Sequence, residues 1–95
     1  MERTILIAED SPSVRKFIAL ALKMTGYRII SCNDGMEALE KLPGNKIDLL
    51  ITDLNMPNMD GFKLIKTIRS YPEYKDLPII ILSSLSKDED IQQGI

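Results

Sequence analysis

The chain alternates two kinds of hydrophobic segment. Short apolar runs, Ile5-Leu6-Ile7-Ala8, Ile29-Ile30, Leu49-Leu50-Ile51 and Ile79-Ile80-Ile81-Leu82, show no polar–apolar alternation. Such runs suit strands buried on both faces of a parallel sheet. Between them, Val14, Phe17, Ile18, Ala21 and Leu22 recur at helical spacing. Met36, Leu39 and Leu42 do so over a shorter reach, as do Phe62, Ile65 and Ile68. A fourth helical pattern opens near Ser86 and Lys87 and has run about two turns by Ile95.

The punctuation agrees with these elements. Ser11 before Pro12 fits an N-cap with proline at the first helical position. Gly26 fits the end of the first helix, and Gly44 follows the second. Met56-Pro57-Asn58-Met59-Asp60-Gly61 reads as a turn before the third. Ser86 and Glu89 can form a capping box for the fourth. The order βαβαβαβα predicts one α/β domain over residues 1–95, a doubly wound parallel sheet with helices on both faces. In such sheets a ligand site lies outside the carboxyl ends of the strands, where strand order reverses.

Composition narrows the chemistry. The 95 residues include no His, which excludes Ser-His-Asp and Cys-His catalysis and His-ligated zinc. One Cys cannot form an internal disulfide, so a cytoplasmic location is expected. The net charge of -2 gives no case for nucleic acid or a membrane surface as partner. The longest unbroken apolar run, the six residues Phe17 to Leu22, is far short of a membrane span, and the run Leu77 to Leu82 is interrupted by Pro78. The start runs straight into a strand-like segment, so no signal peptide is expected. Carboxylates, hydroxyls, lysines and a metal ion remain.

Polar residues stand at the strand tips. Glu9-Asp10 follow the first strand, Asp53 the third and Ser83-Ser84 the fourth. The tip of the second strand, Ser31-Cys32-Asn33-Asp34, is a less clear contributor. Neighbouring strands would gather three carboxylates and a hydroxyl at one edge. Two carboxylates about 4 Å apart repel by roughly 4 kcal/mol at an effective dielectric of 20. Such a cluster either holds protons through raised pKa values or holds a cation. All-oxygen ligation by few side chains suits Mg²⁺ better than Ca²⁺, since no EF-hand loop is present. An Asp carboxylate beside Mg²⁺ can attack phosphorus to give an aspartyl phosphate. Each residue also has a plainer reading: Asp10 or Ser11 as a helix cap, Asp53 as a loop acid, Ser83 and Ser84 as partners of backbone groups.

The chain resembles a receiver domain of a two-component response regulator. The resemblance rests on Ile5-Leu6-Ile7-Ala8-Glu9-Asp10-Ser11, on Asp48-Leu49-Leu50-Ile51-Thr52-Asp53-Leu54-Asn55-Met56-Pro57 with Met59-Asp60-Gly61, and on Pro78-Ile79-Ile80-Ile81-Leu82-Ser83-Ser84. The opening Glu9-Asp10-Ser11-Pro12-Ser13-Val14-Arg15 is similar to chemotaxis-type single-domain members. The resemblance implies a flavodoxin-like fold with strand order 2-1-3-4. It implies that Asp53 is the phosphoacceptor and that Glu9, Asp10 and Asp53 hold Mg²⁺ together with the backbone carbonyl of Asn55. Ser83 matches the hydroxyl that contacts the phosphoryl group and moves on activation. Ser84 matches the small position after it, and Pro57 and Gly61 match the turn after the acceptor. The implied donor is a phosphohistidine on a sensor histidine kinase or phosphotransfer protein. The first helix, with Arg15 and Lys16, resembles the kinase-docking surface, and a downstream output protein is implied. The chain would modify itself as a signalling protein and would not be an enzyme.

One departure stands out. The family's fifth strand, with its Lys-Pro and switch aromatic, and its fifth helix have no counterpart, so the chain reads as truncated by about one βα unit. Leu20 and Met24 beside Phe17 widen the apolar arc of the first helix beyond what one layer needs. An open fourth strand and a bare helix flank would invite a homodimer or a domain swap. The alternative function is therefore a non-switching receiver fragment or chimera module, acting as a binding or assembly unit. A Mg²⁺-dependent phosphatase is disfavoured, because Pro12 and Asn55 stand where its second Asp would follow the nucleophile. A flavin binder is disfavoured for want of a Gly/Thr-rich phosphate loop after the first strand.

Overall fold

The computed structural model describes residues 3–56 and 58–82. The elements are β1 (Thr4–Ala8), α1 (Pro12–Lys23), β2 (Arg28–Cys32), α2 (Gly35–Lys41), β3 (Leu49–Asp53), α3 (Gly61–Arg69), a 3-10 turn (Pro72–Tyr74) and β4 (Ile79–Leu82). The expected helix near Ser86, and Pro57, Ser83 and Ser84, lie outside the described residues.

All four strands are parallel, in the order β2-β1-β3-β4. In β1, Ile5 pairs with Ile29 on one side and Leu49 on the other. Asp48 fixes the start of the β1–β3 ladder twice. Its carboxylate accepts the Thr4 N–H at 2.8 Å, and its own N–H donates to the Thr4 carbonyl at 2.9 Å.

The pleat of β1 explains its unbroken apolar sequence. Ile5 and Ile7 point to one face, where with Ile51 they meet Ile18, Ala19 and Leu22 of α1. Leu6 and Ala8 point to the other, where with Leu50 they meet Ala38 and Leu42 below α2 and Leu64 and Ile68 of α3. β1 and β3 are buried on both faces as expected, whereas β2 and β4 are the edges of the described sheet and stay partly open. Ile80 and Ile81 of β4 are about half exposed.

Capping follows the sequence signals. Ser11 caps α1, accepting the Val14 N–H, with Pro12 at the first helical position. Gly26 turns the chain after α1 with φ of 94°, a conformation open to glycine at little cost.

The helix faces differ from the periodic reading in three places. On α1, Val14, Phe17 and Ala21 face outward while Ile18 and Leu22 rest on the sheet. Phe17 is 74% exposed and Met24 82%, so the outward stripe expected from Phe17, Leu20 and Met24 is present. On α2, the exposed Met36 gives way to buried Gly35 and Ala38. On α3, Phe62 is 67% exposed and the buried face is Gly61, Leu64 and Ile68. In the last two cases, small residues let the helix approach closely, and hydrophobic periodicity does not register glycine.

Candidate functional site

The order of the strands puts the reversal between β1 and β3. The chain leaves β1 for β2 on one side, then returns to β3 on the other. The crevice at a parallel sheet's carboxyl edge opens at such a point. Glu9 and Asp10 directly follow β1 there, and Asp53 is the last residue of β3.

Local hydrogen bonds fix these acids. The Glu9 N–H donates to the Cys32 carbonyl at 3.1 Å, extending the β1–β2 ladder by one residue. The Glu9 carboxylate accepts the Ser11 N–H at 3.0 Å, and its carbonyl accepts from the Arg15 guanidinium at 2.8 Å. On β3, the Leu54 N–H donates to Asp53 Oδ1 at 2.7 Å. The Thr52 hydroxyl donates to the Asp53 carbonyl at 2.9 Å.

One carboxylate oxygen from each of Glu9, Asp10 and Asp53 lies within 4.8 Å of the other two. Glu9 is 4% exposed and Asp53 8%, while Asp10 opens to solvent. Burial, joined by the negative charges of Asp53 and Asp10, pushes the Glu9 carboxyl up to about 7. The Ser11 N–H opposes that rise without cancelling it. A carboxyl held near neutrality among other carboxylates is a place where a proton and a cation compete. The all-oxygen, triple-carboxylate donor set fits a hard divalent cation such as Mg²⁺.

Leu82 of β4 lies in register with Asp53, and Ser83 and Ser84 follow it in sequence. Asn55 is exposed and lies two residues beyond Asp53, on the segment that leads to α3. Lys16 is exposed on α1, whereas Arg15 is partly buried and engaged with Glu9, so the two do not form one free basic face.

Asp34, at the tip of the second strand, and Gly61, in the turn after the acceptor, take definite structural roles. Asp34 caps α2 through the Glu37 N–H at 2.9 Å and also accepts from the Asn58 side chain at 2.8 Å. These donors hold its carboxyl below the usual range. The spacing of Asp34 and Glu37, an acid three residues before a glutamate, is a capping signal that was there to be read. The role of Gly61 is steric.

The comparisons with known proteins decide the family. The response regulator receiver domain model matches residues 5–95. The chain belongs to the response regulator receiver family. Receiver domains are signalling modules. This receiver is 44% identical over 95 residues to response regulator GtcR of Aneurinibacillus migulanus, covering 100% of the chain and 38% of that relative. It is 39% identical over 92 residues to sensor protein EvgS of Escherichia coli K12, covering 97% of the chain and 8% of that relative. The receiver therefore spans well under half the length of these curated relatives. Its fold matches chemotaxis response regulator CheY4 of Vibrio cholerae with a TM-score of 0.85 at 35% identity, covering 99% of this chain and 78% of that one. The flavodoxin-like arrangement with order 2-1-3-4 is thus the receiver fold. No helix among the described residues is long and apolar enough to cross a membrane.

Proposed function

We propose that this receiver accepts a phosphoryl group on Asp53 from a phosphohistidine of a partner sensor kinase or phosphotransfer protein. The observation that carries the reading is the convergence of Glu9, Asp10 and Asp53 at the β1–β3 reversal, with Glu9 held near neutrality by its surroundings. Glu9, Asp10 and Asp53, with the Asn55 backbone carbonyl, are the residues that would hold Mg²⁺. When bound, Mg²⁺ offsets negative charge on the transferring group.

The chain's own residues have distinct tasks. The Leu54 N–H orients the Asp53 carboxylate through Oδ1. An Asp53 carboxylate oxygen then attacks phosphorus, and the phosphorus–nitrogen bond of the donor breaks. The imidazole leaves with the electron pair and takes up a proton from solvent. The product is an acyl phosphate, and the donor histidine lies outside these 95 residues, which contain no His.

Ser83 is the proposed hydroxyl contact to the new phosphoryl group, with Ser84 beside it. The Asp53–Leu82 register supports this assignment. Movement of Ser83 would bias the surface read by an output protein. The outward α1 stripe of Phe17, Leu20 and Met24, next to Lys16, supports docking of the phosphodonor there. The buried Cys32, whose thiol burial pushes up to about 12, suits a cytoplasmic chain.

The test is labelling of the full chain by a small acyl phosphate donor, with and without a chelator. Labelling that depends on divalent cation supports the reading, and labelling indifferent to the chelator contradicts it.

A further inference from the structure

Both acid-bearing segments hang on one short junction, Cys32 to Asp34, between β2 and α2. On the β1 side, the Cys32 carbonyl accepts the Glu9 N–H at 3.1 Å. On the β3 side, Asp34 Oδ2 accepts the Asn58 side-chain N–H at 2.8 Å, while Oδ1 accepts the Glu37 N–H at 2.9 Å. Asp34 thus serves two structures with two oxygens. The bond to Asn58 spans 24 residues of sequence and ties α2 to the segment that follows Asp53.

Two further features hold that segment in place. Asn58 has a φ of 68°, in the left-handed region that asparagine tolerates better than most residues. Its neighbour Met59 packs on Gly35, where an added Cβ would stand 3.0 Å from the Met59 carbonyl oxygen and 3.1 Å from its Cγ. A side chain at position 35 would push Met59 away. Asp34 itself is outside the cluster of three carboxylates. Its effect on a bound ion would therefore pass through backbone placement, as outer partners of metal ligands act.

We propose that Asp34 is a positioning residue of the acceptor site: through Asn58 it fixes the segment carrying Asn55 and so sets how tightly the site holds a divalent cation. This rests on the reading of Glu9, Asp10, Asp53 and Asn55 as the ligands. The competing role is a plain cap of α2, which would affect stability alone.

Two substitutions separate the roles. Asp34→Ser keeps a good N-cap and removes the acceptor for Asn58. Asn58→Gly keeps the positive φ without strain and removes the donor. Mg²⁺ is titrated into the full chain by calorimetry and by NMR amide shifts, beside urea unfolding. Each single variant is expected to bind Mg²⁺ about tenfold more weakly. The double variant D34S/N58G is expected to be no weaker than the singles, because both break one bond. The exchanged pair D34N/N58D restores the hydrogen bond with donor and acceptor swapped, and Mg²⁺ affinity returns with it. Acyl phosphate labelling at saturating Mg²⁺ keeps its rate in all of them, while the Mg²⁺ needed for half of that rate rises in the singles.

Wild-type affinity in both single variants would overturn the proposal, as would an exchanged pair as weak as the singles. A wild-type chain that binds no Mg²⁺ would overturn the ligand reading and this inference together. A wild-type chain that binds, with singles that bind equally, would overturn only the role of Asp34.

Discussion

Gly61 is seated against Asp53. A Cβ on Gly61 would overlap the Asp53 carbonyl oxygen and stand 2.9 Å from the Leu54 Cα. The Gly61 N–H also donates to the Leu54 carbonyl at 2.9 Å. The first turn of α3 therefore rests on the strand end that carries the proposed acceptor. Because the obstruction is backbone, it cannot rotate aside. Gly61→Ala is expected to destabilise by about 2 kcal/mol and to lower phosphoryl labelling of Asp53. An unchanged urea midpoint would contradict the packing described.

Glu9 makes the site sensitive to pH. Its carboxyl sits at about 7 when folded, against an ordinary value of 4.5, chiefly through burial. The folded protein thus keeps a proton that the unfolded chain has lost. Its contribution to stability is complete below the unfolded value and disappears as pH rises through about 7. Metal-free protein is expected to unfold at lower urea at about pH 8 than at about pH 5, and Glu9→Gln should flatten that difference. Proton and cation compete for the same oxygens, so Mg²⁺ affinity should rise about tenfold from about pH 6 to about pH 8. Calorimetry at the two pH values checks this, and equal affinities would contradict it.

On α3, Leu64 and Phe62 give a sharp contrast. Leu64 is fully buried between helix and sheet, whereas Phe62 is 67% exposed. Leu64→Ala should cost about 2–4 kcal/mol by loss of burial and creation of a cavity. Phe62→Ala should change stability by less than about 0.5 kcal/mol. Urea unfolding of both variants reverses or supports the orientation of the helix.

The outward stripe of α1 should matter to a partner more than to the fold. Phe17→Ala and Leu20→Ala remove side chains that are mostly exposed. Labelling from a phosphorylated kinase domain is expected to slow about tenfold, while labelling from a small acyl phosphate stays unchanged. Equal slowing with both donors would place the effect in the site instead.

The fold was legible because it depends on strong local signals. Uninterrupted apolar runs marked β1 and β3, and Ser11-Pro12 marked the start of α1. The acids were legible because Glu9, Asp10 and Asp53 stand at the ends of those runs. Helix rotation was harder to read, since Gly35, Ala38 and Gly61 pack by smallness, and hydropathy gives a buried glycine no weight. Met36 and Phe62 then took places in the expected core that they do not occupy. Asp34 was obscured for a different reason: its bond to Asn58 is a long-range side-chain pair, which periodicity cannot register.

The central claim is that Asp53 receives the phosphoryl group. The most direct measurement is intact-mass and peptide mapping of the full chain after incubation with a phosphorylated histidine kinase and Mg²⁺, beside Asp53→Asn. The account predicts one added phosphoryl group on the wild-type chain, mapped to Asp53, and none on the variant. Equal labelling of Asp53→Asn, or a label mapped to another residue, would contradict it.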